Sequence, residues 1–233
     1  VRAEVDHGRW QAALTAEIAH FQAMTPGRTL DAIFFGGGTP SLMPPETVEA
    51  VINAARTGWR FSNAIEITLE ANPGSVEADR FECYAAAGVN RVSLGVQALN
   101  DDDLKFLGRM HSHAEAFRAL EIARATFARY SFDLIYARPG QSVDQWRREL
   151  ETAIGLAGGH MSVYQLTIEQ GTAFHGLHQR GAFQISDEDT GAALYEATGA
   201  ILEAAGMPRY EISNHAAPGH ECAHNLIYWR GGE

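Results

Sequence analysis

The stretch Phe34-Phe35-Gly36-Gly37-Gly38-Thr39-Pro40 places three consecutive glycines directly after an apolar run. Glycine has no Cβ, so the backbone here can approach a bound molecule closely and donate amide hydrogen bonds to carboxylate-like or phosphate-like oxygens. An apolar run that ends in turn residues is typical of a buried strand. The stretch therefore predicts a ligand site lined by backbone at the carboxyl end of a strand.

Apolar runs alternate with helical patterns along the rest of the chain. We predict strands at 31–35, 64–69, 90–96, 131–136 and 161–167, with a further strand at 209–213. We predict helices at 6–24, 45–57, 76–87, 114–128, 143–157 and 188–205. Prolines near helix starts and glycines after helix ends support these boundaries. The repeating element is therefore a strand followed by a helix.

This alternation requires parallel strands and right-handed crossovers, which leaves a doubly wound open sheet or a (β/α) barrel, complete or partial. The doubly wound alternative predicts G-x-G-x-x-G or G-x-x-x-x-G-K-[ST] at the first turn, and neither motif is present. Polar residues at the ends of several predicted strands favour the barrel. We therefore predict an α/β fold, a partial TIM-like (β/α)6 barrel with parallel strands, as one domain over residues 1–233.

Composition excludes several classes of partner. The chain has 233 residues, 45% of them hydrophobic, and a formal net charge of −11, which disfavours nucleic acid and anionic membrane surfaces. It has no apolar run of transmembrane length, and its first twenty residues are too polar for a signal peptide. We expect a cytoplasmic location. The two cysteines suggest no disulfide framework, and the helical pattern around Cys83 predicts a core position for it.

Single polar residues at the strand ends each have a structural explanation. Glu70 is consistent with a solvated strand end, Asp133 with a cap for the next segment, and Arg109 with a surface cation. Several apolar strands that each carry one polar residue need a further reason, because a buried polar group costs about 1–3 kcal/mol unless it is satisfied. The combination therefore predicts a binding site.

Several motifs, in their order and spacing, resemble those of the radical S-adenosylmethionine (SAM) enzymes related to oxygen-independent coproporphyrinogen III dehydrogenase. They are Gly36-Gly37-Gly38-Thr39-Pro40, Leu69-Glu70-Ala71-Asn72-Pro73, Gly95-Val96-Gln97, Leu107-Gly108-Arg109 and Asp133-Leu134-Ile135-Tyr136. Within that family the second half of the chain resembles the HemW-like haem chaperones. The motifs there are Tyr164-Gln165-Leu166-Thr167-Ile168-Glu169, Tyr210-Glu211-Ile212-Ser213-Asn214 and His224-Asn225-Leu226-Ile227-Tyr228-Trp229.

The resemblance implies a SAM site. Gly37, Gly38 and Thr39 would line the amino-acid moiety of SAM, and Glu70 would hold it. Further SAM contacts, including those to a second SAM molecule, would come from Gln97, Arg109 and Asp133, with Thr167 as another contact. SAM carries an amino group, a carboxylate, hydroxyls and a sulfonium, so it requires both acidic and basic partners.

The family signature C-x-x-x-C-x-x-C, whose thiolates hold a [4Fe–4S] cluster with SAM on the fourth iron, is absent from this sequence. Cys83 and Cys222 are too few and too far apart to replace it. We expect a fragment that begins after the first strand and the cluster loop and that lacks the C-terminal domain of the relatives; loss of the cysteine motif is the alternative. The cluster would then belong to the full-length form, and this chain alone is not expected to cleave SAM.

The tail, residues 208–233, gathers His215, His220, Cys222 and His224. Their spacing follows no common zinc pattern, and a polar turn with surface histidines is the structural explanation. The resemblance instead implies haem binding, with His224 as the iron ligand and Tyr228 and Trp229 as aromatic faces against the macrocycle. No role is assigned to His111 and His113.

The resemblance implies two of the three functions that we consider, and the histidines suggest the third. The first is a haem chaperone that binds haem and transfers it to an acceptor protein that the sequence does not identify. The alternatives are a radical SAM oxidoreductase of porphyrin biosynthesis, which would need an electron donor, and a metal-dependent barrel hydrolase that uses the histidines.

Overall fold

Strands and helices alternate along the computed structural model, which describes residues 5–74 and 78–232. The strands are β1 (Thr29–Phe35), β2 (Arg60–Ala71), β3 (Arg91–Gln97), β4 (Arg129–Tyr136), β5 (His160–Gln165) and β6 (Asn214–Ala216). The helices are α1 (His7–Met24), α2 (Pro45–Gly58), α3 (Phe81–Ala86), α4 (Asp101–Phe106), α5 (His113–Thr126), α6 (Val143–Leu156), α7 (Ala173–Gln179), α8 (Glu188–Ala204) and α9 (Ala223–Trp229). A short 3₁₀ helix spans Pro40–Leu42.

Side-chain caps explain where several helices begin. The Asp6 carboxylate accepts a hydrogen bond from Arg9 N at 2.9 Å and starts α1. Ser142 and Gln145 form a reciprocal capping box at the start of α6. Gly206, with φ of 78°, follows α8 in the left-handed conformation that favours glycine. These local signals account for the agreement between predicted and observed boundaries.

The chain divides into two compact units. Unit 1 comprises the described parts of Val1–Leu94, Arg118–Arg129 and Cys222–Glu233. Within it β1 pairs in parallel with β2, with Phe35 opposite Leu69. β2 pairs in parallel with the first residues of β3, with Ala71 opposite Leu94. Buried aliphatic side chains on α2 and these strands form its core.

Unit 2 comprises Gly95–Phe117 and Tyr130–Glu221. Within it β4 pairs in parallel with β5, and Asp133 lies opposite Ser162. The fully buried Trp146 on α6 donates from Nε1 to Thr198 Oγ1 on α8 at 2.8 Å, which joins the two helices.

The predicted α/β class is confirmed, with strands in the order β1-β2-β3-β4-β5-β6. The prediction of parallel strands fails at the last one, because β6 pairs antiparallel with β5. The prediction of a strand at 209–213 is also wrong. Tyr210 N donates to Asn214 O at 3.1 Å, and Arg209 forms an antiparallel bridge with His215. The chain therefore reverses just before β6, and this reversal gives the antiparallel pairing.

Two further differences concern helices. The predicted helix at 76–87 begins at residues that lie outside the described ones, and the described helix there is Phe81–Ala86. The short helices α4, α7 and α9 were not predicted, because six or seven residues complete too few turns to show a period.

The prediction of one domain over 1–233 remains a prediction. Within the described ranges, none of the helices combines the length and apolar content needed to cross a bilayer.

Candidate functional site

The glycine loop meets Glu70 inside unit 1. Because β1 and β2 are parallel with Phe35 opposite Leu69, the residues that follow them lie side by side. Gly37 N donates to Glu70 Oε2 at 3.3 Å. Gly37 and Gly38 have φ of 82° and 62°, a conformation open to glycine at little cost. The loop thus presents exposed amide groups beside one carboxylate, a pairing that suits a ligand carrying both signs of charge.

A cavity of about 590 Å³ opens beside the glycine loop within unit 1. Gly37 and Thr39 line it, together with apolar side chains that include Trp10, Phe34 and Leu42. Its volume lies within the range of about 300–1,000 Å³ that is typical of small-molecule sites. Two of the residues predicted to contact SAM therefore border a cavity of suitable size.

The aromatic residues of the tail lie near the same strand. The His224 ring stacks on Phe34 of β1, with ring centroids 4.3 Å apart and an angle of 18° between the planes. The Tyr228 ring packs edge-on against His224 at 4.9 Å. Tyr228 and Trp229 are 75% and 55% exposed, so both present aromatic surface to solvent. Burial lowers the pKa of His224 and favours the neutral imidazole, the form that binds metals.

A buried carboxylate that the sequence analysis missed anchors α9. Glu66 on β2 is 2% exposed, and its Oε1 accepts hydrogen bonds from Ala223 N at 3.0 Å and from Cys222 Sγ at 3.3 Å. Its Oε2 lies 2.8 Å from Arg129 Nη1. The only sequence signal was one charged residue inside an apolar strand. Glu66 therefore fixes the start of the helix that carries His224.

The two cysteines differ in burial. The core position predicted for Cys83 is wrong, because α3 turns Phe81 and Tyr84 inward and leaves Cys83 exposed. Cys222 is buried, and burial raises the pKa of its thiol. Cys222 is therefore held as a thiol that donates to Glu66 and not as a thiolate ligand.

Gln97 ends β3 in an unusual conformation within unit 2. Its φ is 73°, although it is not glycine, and Ala98 N donates to Val96 O at 3.0 Å to close a three-residue turn around it. Such strained conformations cluster at functional sites. His111 Nε2 lies 3.1 Å from the same Val96 oxygen and, as donor, supports the turn. This contact gives the previously unassigned His111 a structural role next to a predicted ligand residue.

Arg109 and Asp133 interact within the same unit. Burial lowers the pKa of Arg109, and the charge of Asp133 opposes that shift. Burial also raises the pKa of Tyr164 to about 12, with Asp133 as the next cause. Arg109 Nε is buried without a hydrogen-bond partner. The Asp133 carboxylate thus lies within electrostatic reach of both the Arg109 guanidinium and the Tyr164 phenol. Thr167 is exposed after the end of β5.

The tail histidines and Cys222 do not form a metal centre by themselves. Across residues 5–74 and 78–232, no three His, Cys, Asp or Glu side chains lie close enough to hold a metal ion together. His215 is buried in unit 2, whereas Cys222 and His224 belong to unit 1. The hydrolase alternative therefore has no metal site of this kind in the described part of the chain. A single histidine with aromatic neighbours remains compatible with haem.

Comparison with known proteins identifies similar sequences. The family model of the Radical SAM superfamily matches residues 9–153. The heme chaperone HemW of Escherichia coli (strain K12) is 40% identical over 234 residues, which cover 100% of this chain and 61% of that protein. The mitochondrial Radical S-adenosyl methionine domain-containing protein 1 of Bos taurus is 39% identical over 230 residues, which cover 98% of this chain and 52% of that protein.

Comparison with solved structures concerns the fold. Coproporphyrinogen III oxidase (HemN) from Escherichia coli, described as a radical SAM enzyme, matches with a TM-score of 0.78 at 23% identity. The match covers 99% of this chain and 53% of that one. At this identity the likeness shows the fold alone, and it confirms the predicted fold type. The chain spans between 52% and 61% of the length of the two relatives described above.

Proposed function

This chain belongs to the radical SAM superfamily, and from that premise we propose that it is the core of a haem chaperone, which binds haem and passes it to an acceptor protein. The observation that carries the proposal is the His224 ring, neutral and stacked on Phe34, with the exposed Tyr228 and Trp229 beside it. The similarity to proteins named heme chaperone HemW supports it. The acceptor protein and a cytoplasmic location are part of this proposal.

SAM would bind at the glycine loop in the same proposal. The Glu70 carboxylate, which accepts from Gly37 N, would also accept from the amino group of SAM, and the amide of Gly38 would donate to the SAM carboxylate. Thr39 would border the ligand from the cavity wall. In the full-length protein a [4Fe–4S] cluster held by the family's cysteine motif would supply the iron that SAM occupies.

Within unit 2, the residues that the family resemblance implies for SAM binding offer suitable groups. Arg109 has a buried Nε with no hydrogen-bond partner, which is suited to a ligand carboxylate or hydroxyl. Asp133 and Gln97 offer a carboxylate and an amide, and Thr167 offers an exposed hydroxyl. The oxidoreductase alternative, with its electron donor, rests on the motifs that resemble the dehydrogenase-related enzymes and on a likeness of fold. A direct assay of porphyrinogen oxidation by the full-length protein separates it from the chaperone.

Haem titration of the full-length protein tests the chaperone proposal. We expect His224→Ala to shift the Soret band and weaken haem binding by about tenfold or more, because even the loss of a residue that hydrogen-bonds to a metal ligand costs about 10–100-fold in metal affinity. The exposed His20 on α1 provides the matched control, His20→Ala, which we expect to behave as wild type. Identical spectra and affinities for His224→Ala and wild type would remove His224 from the haem site.

Calorimetry of SAM binding tests Glu70. We expect Glu70→Gln in the full-length protein to weaken SAM binding by about 10–100-fold, because a hydrogen bond to a charged group is worth about 1.5–3 kcal/mol. Glutamine keeps the shape of the side chain and removes its charge. Glu49→Gln, an exposed change on α2, should leave the affinity unaltered. An unchanged affinity in Glu70→Gln would exclude this carboxylate from the SAM site.

A third variant pair tests the support that His111 gives to Gln97. Removing the Nε2 donor in His111→Ala should weaken SAM binding by about fivefold, since one hydrogen bond contributes about 1 kcal/mol. His111→Gln restores a donor at nearly the same position and should recover most of the affinity. If both variants lose affinity equally, or neither does, the contact with Val96 O does not position Gln97.

A further inference from the structure

We propose that the Phe34 side chain couples the two predicted ligand sites, so that SAM bound at the glycine loop strengthens haem binding at α9, and haem strengthens SAM binding equally. This inference rests on the proposed function, because it requires both ligands. It goes further in making Phe34 a positioning residue that the two sites share. Neither SAM nor haem has to touch the Phe34 ring for this coupling to operate.

One side of the Phe34 ring contacts the glycine loop. A Cβ added to Gly36 would lie 2.7 Å from Phe34 Cε1 and 3.4 Å from Glu70 Oε2. The Phe34 ring therefore occupies the space that a side chain at position 36 would need. Unlike Gly37 and Gly38, Gly36 is not among the glycines with positive φ, so close packing is its structural requirement. Any shift of the loop at Gly36 acts directly on the ring.

The Phe34 ring also supports His224. Their centroids are 4.3 Å apart with the planes nearly parallel, and Tyr228 closes on His224 from α9. The start of α9 is fixed by the hydrogen bond from Ala223 N to Glu66. With the start of the helix held in this way, the Phe34 ring packs against one face of the His224 ring and helps to orient it. Phe34 is thus in contact with both the loop and the histidine.

Ordering of this shared ring explains the sign of the coupling. SAM held by Glu70 and the loop amides would restrict the backbone at residues 36–39 and, through Gly36, the Phe34 ring. Haem bound at His224 then meets a ring that is already ordered, and the entropic cost of ordering it is not incurred a second time. Thermodynamic linkage requires haem to change SAM affinity by the same factor. An aromatic pair of this kind limits the factor to about two- to tenfold.

The experiment uses the full-length protein with its cluster reconstituted. Haem affinity is measured by Soret titration with and without saturating SAM, and SAM affinity by calorimetry with and without haem. We expect both affinities to rise by the same factor, between about twofold and tenfold. Equal affinities with and without the second ligand would overturn the coupling. Failure of the wild type to bind one ligand at all would instead overturn the proposed function, and the coupling with it.

Variants locate the coupling at Phe34. Phe34→Leu should still bind each ligand, with the coupling factor reduced to about one. Gly36→Ala, which displaces the ring from the side of the loop, should reduce the factor in the same way. Phe21→Leu, the same change at an exposed position on α1, should retain the wild-type factor. A factor that survives in both Phe34→Leu and Gly36→Ala would show that another route connects the sites.

Discussion

Replacement of Glu66 by glutamine is expected to lower the free energy of unfolding by about 3–5 kcal/mol, the range for breaking a buried ion pair by removing one partner. Glu66 is 2% exposed, and its Oε2 lies 2.8 Å from Arg129 Nη1 and 4.0 Å from Arg91 Nε. Arg91 is itself 2% exposed. A neutral side chain at position 66 would leave this positive charge without compensation inside unit 1.

The same change weakens the attachment of α9. Glu66 Oε1 accepts from both Cys222 Sγ and Ala223 N, so one carboxylate oxygen serves two donors. Glutamine offers a single weaker acceptor and adds two donors of its own. We therefore expect haem binding through His224 to weaken along with stability, whereas Glu70 and the glycine loop keep their own contacts.

Urea unfolding followed by circular dichroism measures this effect. Glu49→Gln, the same chemical change at an exposed position on α2, is the matched control and should stay within about 0.5 kcal/mol of wild type. A loss of less than about 1 kcal/mol in Glu66→Gln would show that Arg91 and Arg129 do not depend on this carboxylate.

The strands of this fold were predictable because their signal is local. Apolar runs bounded by glycine and proline marked β1 to β5 within a few residues. The last strand was placed wrongly because its position depends on the reversal around Tyr210, which is stabilised by backbone hydrogen bonds that no side-chain pattern reports. The short helix α9 carries the candidate haem residues, and its position depends on Glu66, 157 residues away from Ala223 in the chain.

The candidate site, like the fold, was predictable where its residues lie at strand ends and not where it depends on contacts between distant segments. Parallel strands place Gly37 beside Glu70, so the strand-end positions that the sequence indicates are what bring these two residues together. The stack of Phe34 on His224 joins the first strand to the last helix, and nothing in either segment alone indicates it. The structure therefore reveals the contacts between distant segments, which the sequence alone does not indicate.

A second large effect is a loss of stability as the pH falls, and we expect it from His215, another histidine of the tail. Burial lowers the pKa of His215 from 6.5 to about 4, with the charge of Arg209 as the next cause, while a backbone hydrogen bond involving Met207 and the charge of Glu211 oppose the shift. The side chain is 1% exposed, so solvent screening is slight. The folded protein therefore holds His215 neutral under conditions in which the unfolded chain protonates it.

The sign of the pH dependence follows from this difference. Above pH 6.5 both states carry a neutral His215, and its contribution to stability is complete. As the pH falls from 6.5 to about 4, the unfolded state gains a proton that the folded state does not accept, so the folded protein loses stability. The loss from this group is about 3 kcal/mol, at about 1.4 kcal/mol for each pH unit between the two pKa values. Below about pH 4 both states are protonated and the loss stops growing.

Urea unfolding at pH 7, 6, 5 and 4 measures this loss. His215→Gln removes the titrating group, so its stability should fall by about 3 kcal/mol less than that of wild type over the same range. His20→Gln, at an exposed position on α1, should keep the wild-type profile. Parallel profiles for wild type and His215→Gln would contradict the assignment. The same variant distinguishes His215 from His224, because haem bound through His224 at pH 7 should keep its Soret band when His215 is replaced.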